Sequence, residues 1–155
     1  MTTAMMESDP MARLRTVADR LCPIAAPATV LPPYYLEDAT GYTDGADYCL
    51  PCARAALAAI AHGEYGLYGY VLRRDWSGES DSPRHCETCG VILDYTLSDY
   101  GATEELSFFE TEPPTALDPA TAYSLLQLCD AYAYGPMDSL PPALLALLDV
   151  VEGLC

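Results

Sequence analysis

The sequence predicts an α+β fold, with four to five helices and a short β-hairpin in a single domain over residues 1–155. Helix caps followed by apolar residues at helical spacing occur near both ends of the chain. Aromatic and β-branched residues are concentrated in residues 65–76 and 91–95, which is typical of strands. Two Cys-x-x-Cys steps, at 49–52 and 86–89, lie close to these strands and mark the centre of the predicted core over 47–110.

The first predicted element is an amphipathic helix over residues 9–22. Asp9 supplies an N-cap and Pro10 suits the first helical position. Its apolar residues recur at helical spacing: Met11, Leu14, Val17, Ala18 and Leu21. Residues 23–48 contain four prolines and two glycines, so we expect a loop with one extended piece.

The alanine-rich segment over 51–62 predicts a second helix, and Gly63 provides its stop. The first cysteine pair therefore lies at a helix N-terminus, where the helix dipole is expected to lower the pKa of the thiols. His62 falls in the last turn and is most simply a C-terminal cation. The strands over 65–76 and 91–95 are expected to pair with each other as the hairpin.

Three further helices are predicted after the second cysteine pair. One starts at Ser98 or Thr103, and another starts after the cap Asp118 and stops at Gly135. The last begins at Pro142, so residues 118–155 are expected to form a helical hairpin. This last helix is apolar nearly all round, which fits either a buried helix or a dimer contact through residues 144–154.

The two cysteine pairs predict one structural zinc site. They are separated by 33 residues, and Gly90 directly after the second pair suits the tight turn of a zinc knuckle. Four thiolates close the tetrahedral shell and leave no position for a catalytic water. A zinc-knuckle or treble-clef-like core with the ligands Cys49, Cys52, Cys86 and Cys89 follows from this spacing.

The same residues also allow interpretations other than a zinc site. A redox dithiol at Cys49 and Cys52 requires a preceding hydrophobic strand, but residues 41–47 are polar. His85 beside Cys86 is an alternative donor, although a hydrogen bond to a thiolate or a loop cap is the simpler role. Three cysteines lie outside the pairs and receive no role, although Cys129 has the pattern of a buried apolar residue: Cys22, Cys129 and Cys155.

The charge of the chain is strongly one-sided. It carries 23 acidic residues against seven arginines and no lysine, for a formal net charge of −16. After Arg84 there are twelve acidic residues and neither lysine nor arginine. Such a surface repels nucleic acid and attracts basic proteins. Direct binding to DNA or RNA is therefore not expected.

No apolar run approaches the length of a membrane-spanning helix, and the N-terminus does not resemble a secretory signal. A soluble protein located in the cytoplasm is the expectation. The chain also lacks a glycine-rich phosphate loop, and two histidines leave little scope for a Ser-His-Asp arrangement. These features favour a non-enzymatic protein.

The segment from His85 to Gly101 reads His-Cys-Glu-Thr-Cys-Gly followed by Val-Ile-Leu-Asp-Tyr-Thr-Leu-Ser-Asp-Tyr-Gly. It resembles small zinc-ribbon-like proteins of bacteriophages and related mobile elements, and the match covers roughly residues 47–109. In that pattern the present chain has serine at position 98 where threonine is usual. The resemblance implies a zinc site and a phage origin, and it implies no reaction.

Three functions follow as hypotheses. The first is an acidic, zinc-stabilised inhibitor that imitates DNA and binds the basic surface of a host defence complex, such as a CRISPR effector or a restriction enzyme. The second is a dimeric regulatory or structural zinc module, and the third is a thiol oxidoreductase. For the first, the expected partner-binding residues are acidic: Asp94, Asp99, Glu104, Glu105, Glu110 and Glu112.

Overall fold

The computed structural model describes residues 9–61, 69–76, 78–134 and 140–155. It confirms the α+β class, with five helices among these residues and three sheets of two strands each. The helices are α1 (Pro10–Ala25), α2 (Leu50–Ala61), α3 (Asp99–Thr111), α4 (Pro119–Tyr134) and α5 (Pro142–Leu154). The strands are β1 (Val30–Leu31), β2 (Tyr34–Glu37), β3 (Val71–Arg74), β4 (Glu79–Ser80), β5 (Ile92–Leu93) and β6 (Thr96–Leu97).

The chain divides into two compact units whose segments alternate along the sequence. The first, called the helical unit, comprises residues 1–28, 79–83 and 96–155. The second, called the metal unit, comprises residues 29–78 and 84–95. Helix α3 thus groups with the other long helices and not with the cysteine pairs. The predicted division into a single domain with a zinc core over 47–110 stays a prediction.

The helical unit is built on α1 and α4, which pack along each other. Asp9 caps α1 as predicted, because its carboxylate accepts hydrogen bonds from the backbone amides of Met11 and Ala12 at 3.1 and 3.2 Å. Helix α1 runs past Cys22 to Ala25, three residues beyond the predicted end. The buried Ala25 side chain provides a reason for this longer helix, since it adds to the apolar face of α1.

Helix α5 packs against α1 and α3 within the helical unit. Its fully or nearly fully buried residues form one face: Leu144, Leu147, Leu148 and Val151. Arg13 of α1 pairs with Glu152 of α5, with its Nε 2.7 Å from Oε1, and with Asp149. The apolar face of α5 is therefore buried within the helical unit, and a dimer through residues 144–154 stays a prediction.

The start of α3 explains part of the Asp-Tyr-Gly run. The Ser98 hydroxyl caps the helix by accepting a hydrogen bond from the Gly101 amide at 3.0 Å, and the same hydroxyl donates to the Asp81 carboxylate. Gly101 lies against the segment 79–83, because a Cβ atom at this position would be 2.8 Å from the carbonyl oxygen of Ser80. Only glycine leaves room for this approach of two backbones.

The metal unit contains four of the strands, and their partners differ from the prediction. Strand β3 pairs antiparallel with β2, while β5 pairs parallel with β1. The predicted pairing of these two regions with each other as a hairpin is therefore wrong. Residues 23–48, expected to hold one extended piece, supply both partner strands. Pro32 and Pro33 separate β1 from β2, because proline has no amide to donate to a ladder.

The described helices include none that is both long and apolar enough to cross a membrane.

Candidate metal centre

The first cysteine pair is positioned by the junction between β2 and α2. The backbone of Tyr48 exchanges two hydrogen bonds with that of Tyr34, at 2.8 and 2.9 Å, which fixes the residue before Cys49. The carbonyl oxygen of Cys49 then accepts a hydrogen bond from the Ala53 amide at 2.9 Å as α2 begins. Cys49 is buried and Cys52, in the first turn, is half-buried. One turn of helix thus brings both thiols to the same end of α2.

The second cysteine pair lies on a tight turn between Arg84 and β5. The Gly90 amide donates to the Cys86 carbonyl at 2.9 Å, and Gly90 adopts a φ of +77°, in the left-handed region that favours glycine. The Cys86 amide donates to the Val91 carbonyl, also at 2.9 Å, and closes the turn. The knuckle predicted from Gly90 is thus present, with Cys86 buried and Cys89 exposed.

The four thiols converge on one point. Their sulfur atoms all lie within 4.8 Å of one another, and the Sγ atoms of Cys49 and Cys89 are 3.8 Å apart. Sulfurs at the corners of a tetrahedron around zinc, with bonds of about 2.3 Å, are separated by about 3.8 Å. The geometry therefore fits a metal ion with four cysteine ligands, which is the predicted set.

The four thiols influence one another's ionisation. Burial favours the neutral form of Cys86, but amide hydrogen bonds from Cys89, Cys49 and Thr88 outweigh it and lower the Cys86 pKa to about 6. The hydrogen bond with Cys49, together with burial, raises the pKa of Cys52 to about 12, and burial raises that of Cys49. The net pKa of both thiols of the first pair is thus raised and not lowered as predicted, because burial and the neighbouring thiols outweigh the backbone hydrogen bond from Cys52 that lowers the pKa of Cys49. Without a cation, four adjacent thiols do not all ionise; a metal ion supplies the missing positive charge.

Contacts outside the thiols hold the two halves of the site together. The Glu87 amide in the knuckle donates to the Asp47 carbonyl at 2.8 Å. The Arg84 guanidinium bridges two carboxylates: its Nη2 is 3.2 Å from Oδ1 of Asp47, and the same nitrogen contacts Asp75. Arg84 is largely buried, with its side chain 11% exposed. This bridge links the segments that precede the two halves of the site to Asp75, the residue directly after β3.

Sequence reasoning missed the role of Arg84, Asp47 and Asp75. A signal was present, since Asp47 and Arg84 each stand two residues before the first cysteine of a pair. Opposite charges at matched positions of two metal-binding halves are compatible with a contact between those halves. Asp75 could not be found in this way, because its place depends on the pairing of β3 with β2.

Replacing Arg84 with alanine is expected to destabilise the metal unit by about 2 kcal/mol, less than a fully buried pair because both carboxylates keep some contact with water. The loss arises because Asp47 and Asp75 would remain close together without their cation. Chemical denaturation measures this change in unfolding free energy, with Arg54→Ala, at an exposed position of α2, as the control. An Arg84→Ala protein as stable as the control would exclude the bridge as a stabilising contact.

The cysteines outside the two pairs differ in their exposure, and the histidines are not part of the cluster as described. Cys129 is buried, as its helical pattern indicated, whereas Cys22 and Cys155 are exposed. His85 is exposed and lies outside the four-sulfur group; its backbone forms a bridge with Ile92. The residue His62 lies outside the described part of the chain.

The acidic residues predicted to bind a partner belong to both units. Asp94 belongs to the metal unit, and the other five lie on or directly after α3 in the helical unit. Of these five, Glu105 is half-buried, and burial raises the pKa of its carboxyl group. The other four are exposed: Asp99, Glu104, Glu110 and Glu112.

Comparison of the chain with protein-family models, with curated proteins and with solved structures finds no match in any of the three.

Proposed function

We propose that this protein is a non-enzymatic interaction protein, stabilised by zinc, that binds the basic surface of a nucleic-acid-handling protein. One observation carries the proposal. The helical unit contains 15 of the 23 acidic residues but only three of the seven arginines, and all three of those arginines lie in α1. From residue 96 to the end it has no lysine or arginine. A surface of this kind attracts cationic partners and repels nucleic acid.

Zinc is the metal proposed for the four-cysteine site. Thiolate ligands select zinc or iron–sulfur chemistry, and a tetrahedral four-sulfur shell formed by two Cys-x-x-Cys pairs is typical of structural zinc. A closed shell of this kind holds the metal unit together without an open coordination position. The metal thereby supports the fold, and the binding function is assigned to the acidic surface.

The partner class follows from the charge of the protein. Proteins that bind DNA or RNA present basic channels, and an acidic protein placed there competes with the nucleic acid. A phage-encoded inhibitor of a CRISPR effector or a restriction enzyme is the specific form of this proposal. It is motivated by the resemblance of residues 47–109 to zinc-ribbon-like phage proteins.

The test is affinity capture from a bacterial lysate with the zinc-loaded protein, followed by direct binding measurements on the captured partner. Binding is expected to weaken at least about tenfold between about 50 and 200 mM salt, because charge attraction supplies much of it. Double-stranded DNA should displace the protein from its partner. A partner whose affinity is unchanged by salt and by DNA would show that the acidic surface is not the binding surface.

A further inference from the structure

A groove of about 450 Å³ opens on the surface of the helical unit, beside the start of α3 and the end of α4. Its lining combines apolar, acidic, aromatic and neutral polar side chains. Leu97 and Ala131 supply apolar surface, Asp99 and Asp130 supply carboxylates, and Tyr134 supplies an aromatic ring. The Gln127 amide adds a neutral polar group. Apolar walls with a few polar groups are typical of binding sites.

Asp130 is the residue that most limits what the groove accepts. It is half-buried, and it has no ion pair or hydrogen bond among the described residues. Burial raises the pKa of its carboxyl group above the ordinary value. Asp99, on the other side of the groove, is exposed and likewise has no cationic partner in the described part of the chain. The groove thus contains negative charge that no described residue neutralises through an ion pair.

Tyr134 distinguishes this groove from a purely acidic patch. The residue is 86% exposed although it is a large aromatic side chain at the end of a helix whose other tyrosines, Tyr123 and Tyr132, are buried. An exposed aromatic face next to carboxylates binds a planar cation by stacking. Arginine fits better than lysine, because its guanidinium both stacks on a ring and donates paired hydrogen bonds to carboxylates.

We propose that this groove receives an arginine side chain from a basic segment of a protein partner. Asp130 and Asp99 neutralise the guanidinium, Tyr134 stacks on its face, and Leu97 and Ala131 contact the methylene groups of the side chain. The inference rests on the proposed function, because it names the place on the acidic surface where a basic partner is anchored.

The test uses the full-length, zinc-loaded protein and a labelled peptide of alternating alanine and arginine, at about 150 mM salt to screen the general field. Asp130→Asn keeps the size of the side chain and is expected to weaken binding about tenfold. Tyr134→Ala should weaken it about threefold through the lost stacking. The matched control is Asp19→Asn, which removes the same charge from an exposed position on α1. Replacing the arginines of the peptide with lysine should also weaken binding.

The outcomes distinguish a failure of the proposed groove from a failure of the proposed function. Peptide binding that falls in both groove variants and is unchanged in the control supports the inference. Equal binding by all four proteins overturns the groove and leaves an acidic interaction protein whose contacts lie elsewhere. A wild-type protein that does not bind the arginine peptide even at low salt contradicts both. Thermal unfolding at the same pH checks the fold, and Asp130→Asn should unfold at no lower a temperature than the wild type, because it removes a charge that is unfavourable to bury.

Discussion

Replacing Cys86 with serine is expected to release the metal and unfold the metal unit. The side chain is buried within the core formed by Leu36, Tyr48 and Leu93. A water molecule could therefore take the place of the missing sulfur as a metal ligand only if that core opened. Structural zinc contributes about 10–16 kcal/mol in small zinc domains, which is comparable to the whole stability of an ordinary domain of about 5–15 kcal/mol. Loss of one ligand therefore removes the largest single stabilising contribution in this unit.

Native mass spectrometry measures the metal directly, with one zinc ion per chain expected in the wild type and none in the Cys86→Ser protein. Hydrogen exchange then locates the effect. Amides of α2 and the β2–β3 sheet should lose protection, while α1 and α4 keep theirs because they pack on each other. Cys155→Ser, at an exposed thiol, is the control. A Cys86→Ser protein that holds one zinc ion and unfolds like the control would mean that the site does not depend on four cysteines.

Replacing Gly101 with alanine is expected to destabilise the helical unit by about 3 kcal/mol. The new Cβ atom would lie 2.8 Å from the Ser80 carbonyl oxygen and 2.9 Å from two backbone atoms of Asp81. Backbone atoms do not move aside as a flexible side chain does, so either α3 or the segment 79–83 must shift. The shift would also weaken the contact between the Ser98 hydroxyl and the Asp81 carboxylate.

Gly153→Ala is the matched control for this substitution. Gly153 also lies in a helix, but a Cβ atom there would meet nothing within 4 Å. Alanine is favoured over glycine in a helix by roughly 0.5–1 kcal/mol, so this variant should be slightly more stable than the wild type. Denaturant unfolding of both variants measures whether each substitution lowers or raises the free energy of unfolding. If Gly101→Ala were as stable as Gly153→Ala, the close approach of the two backbones would be contradicted.

Much of the fold could be predicted because local signals decide it. Asp9 and Ser98 cap helices by bonds to amides two or three residues away, and Gly90 forms its turn within a few residues. The gathering of the cysteines was also predictable, because the spacing of Cys-x-x-Cys pairs is itself a property of the metal. Such features need no knowledge of which distant segments meet.

The strand partners could not be predicted, for a physical reason. Strand β5 has two paired residues, and its partner β1 is about sixty positions earlier in the chain. A strand of two residues does not specify its partner, because its short side-chain pattern is compatible with pairing to many other segments of the chain. The same applies to the groove, which joins β6 and the start of α3 to the end of α4. Asp130 appears in the sequence as one of many acidic residues, and its place in the lining of the groove is visible only in the structure.

The alternation of the two units along the chain limits how the protein is divided for experiments. The shortest continuous piece that contains the whole metal unit runs from residue 29 to residue 95, and it includes the five residues 79–83 that belong to the helical unit. A piece covering 47–110 would carry all four cysteines but would lack β1 and β2, which supply the partners of β5 and β3. The helical unit is not a continuous piece at all. Cutting or shuffling this gene at the edges of the segment 47–110 would therefore separate strands that the folded protein pairs.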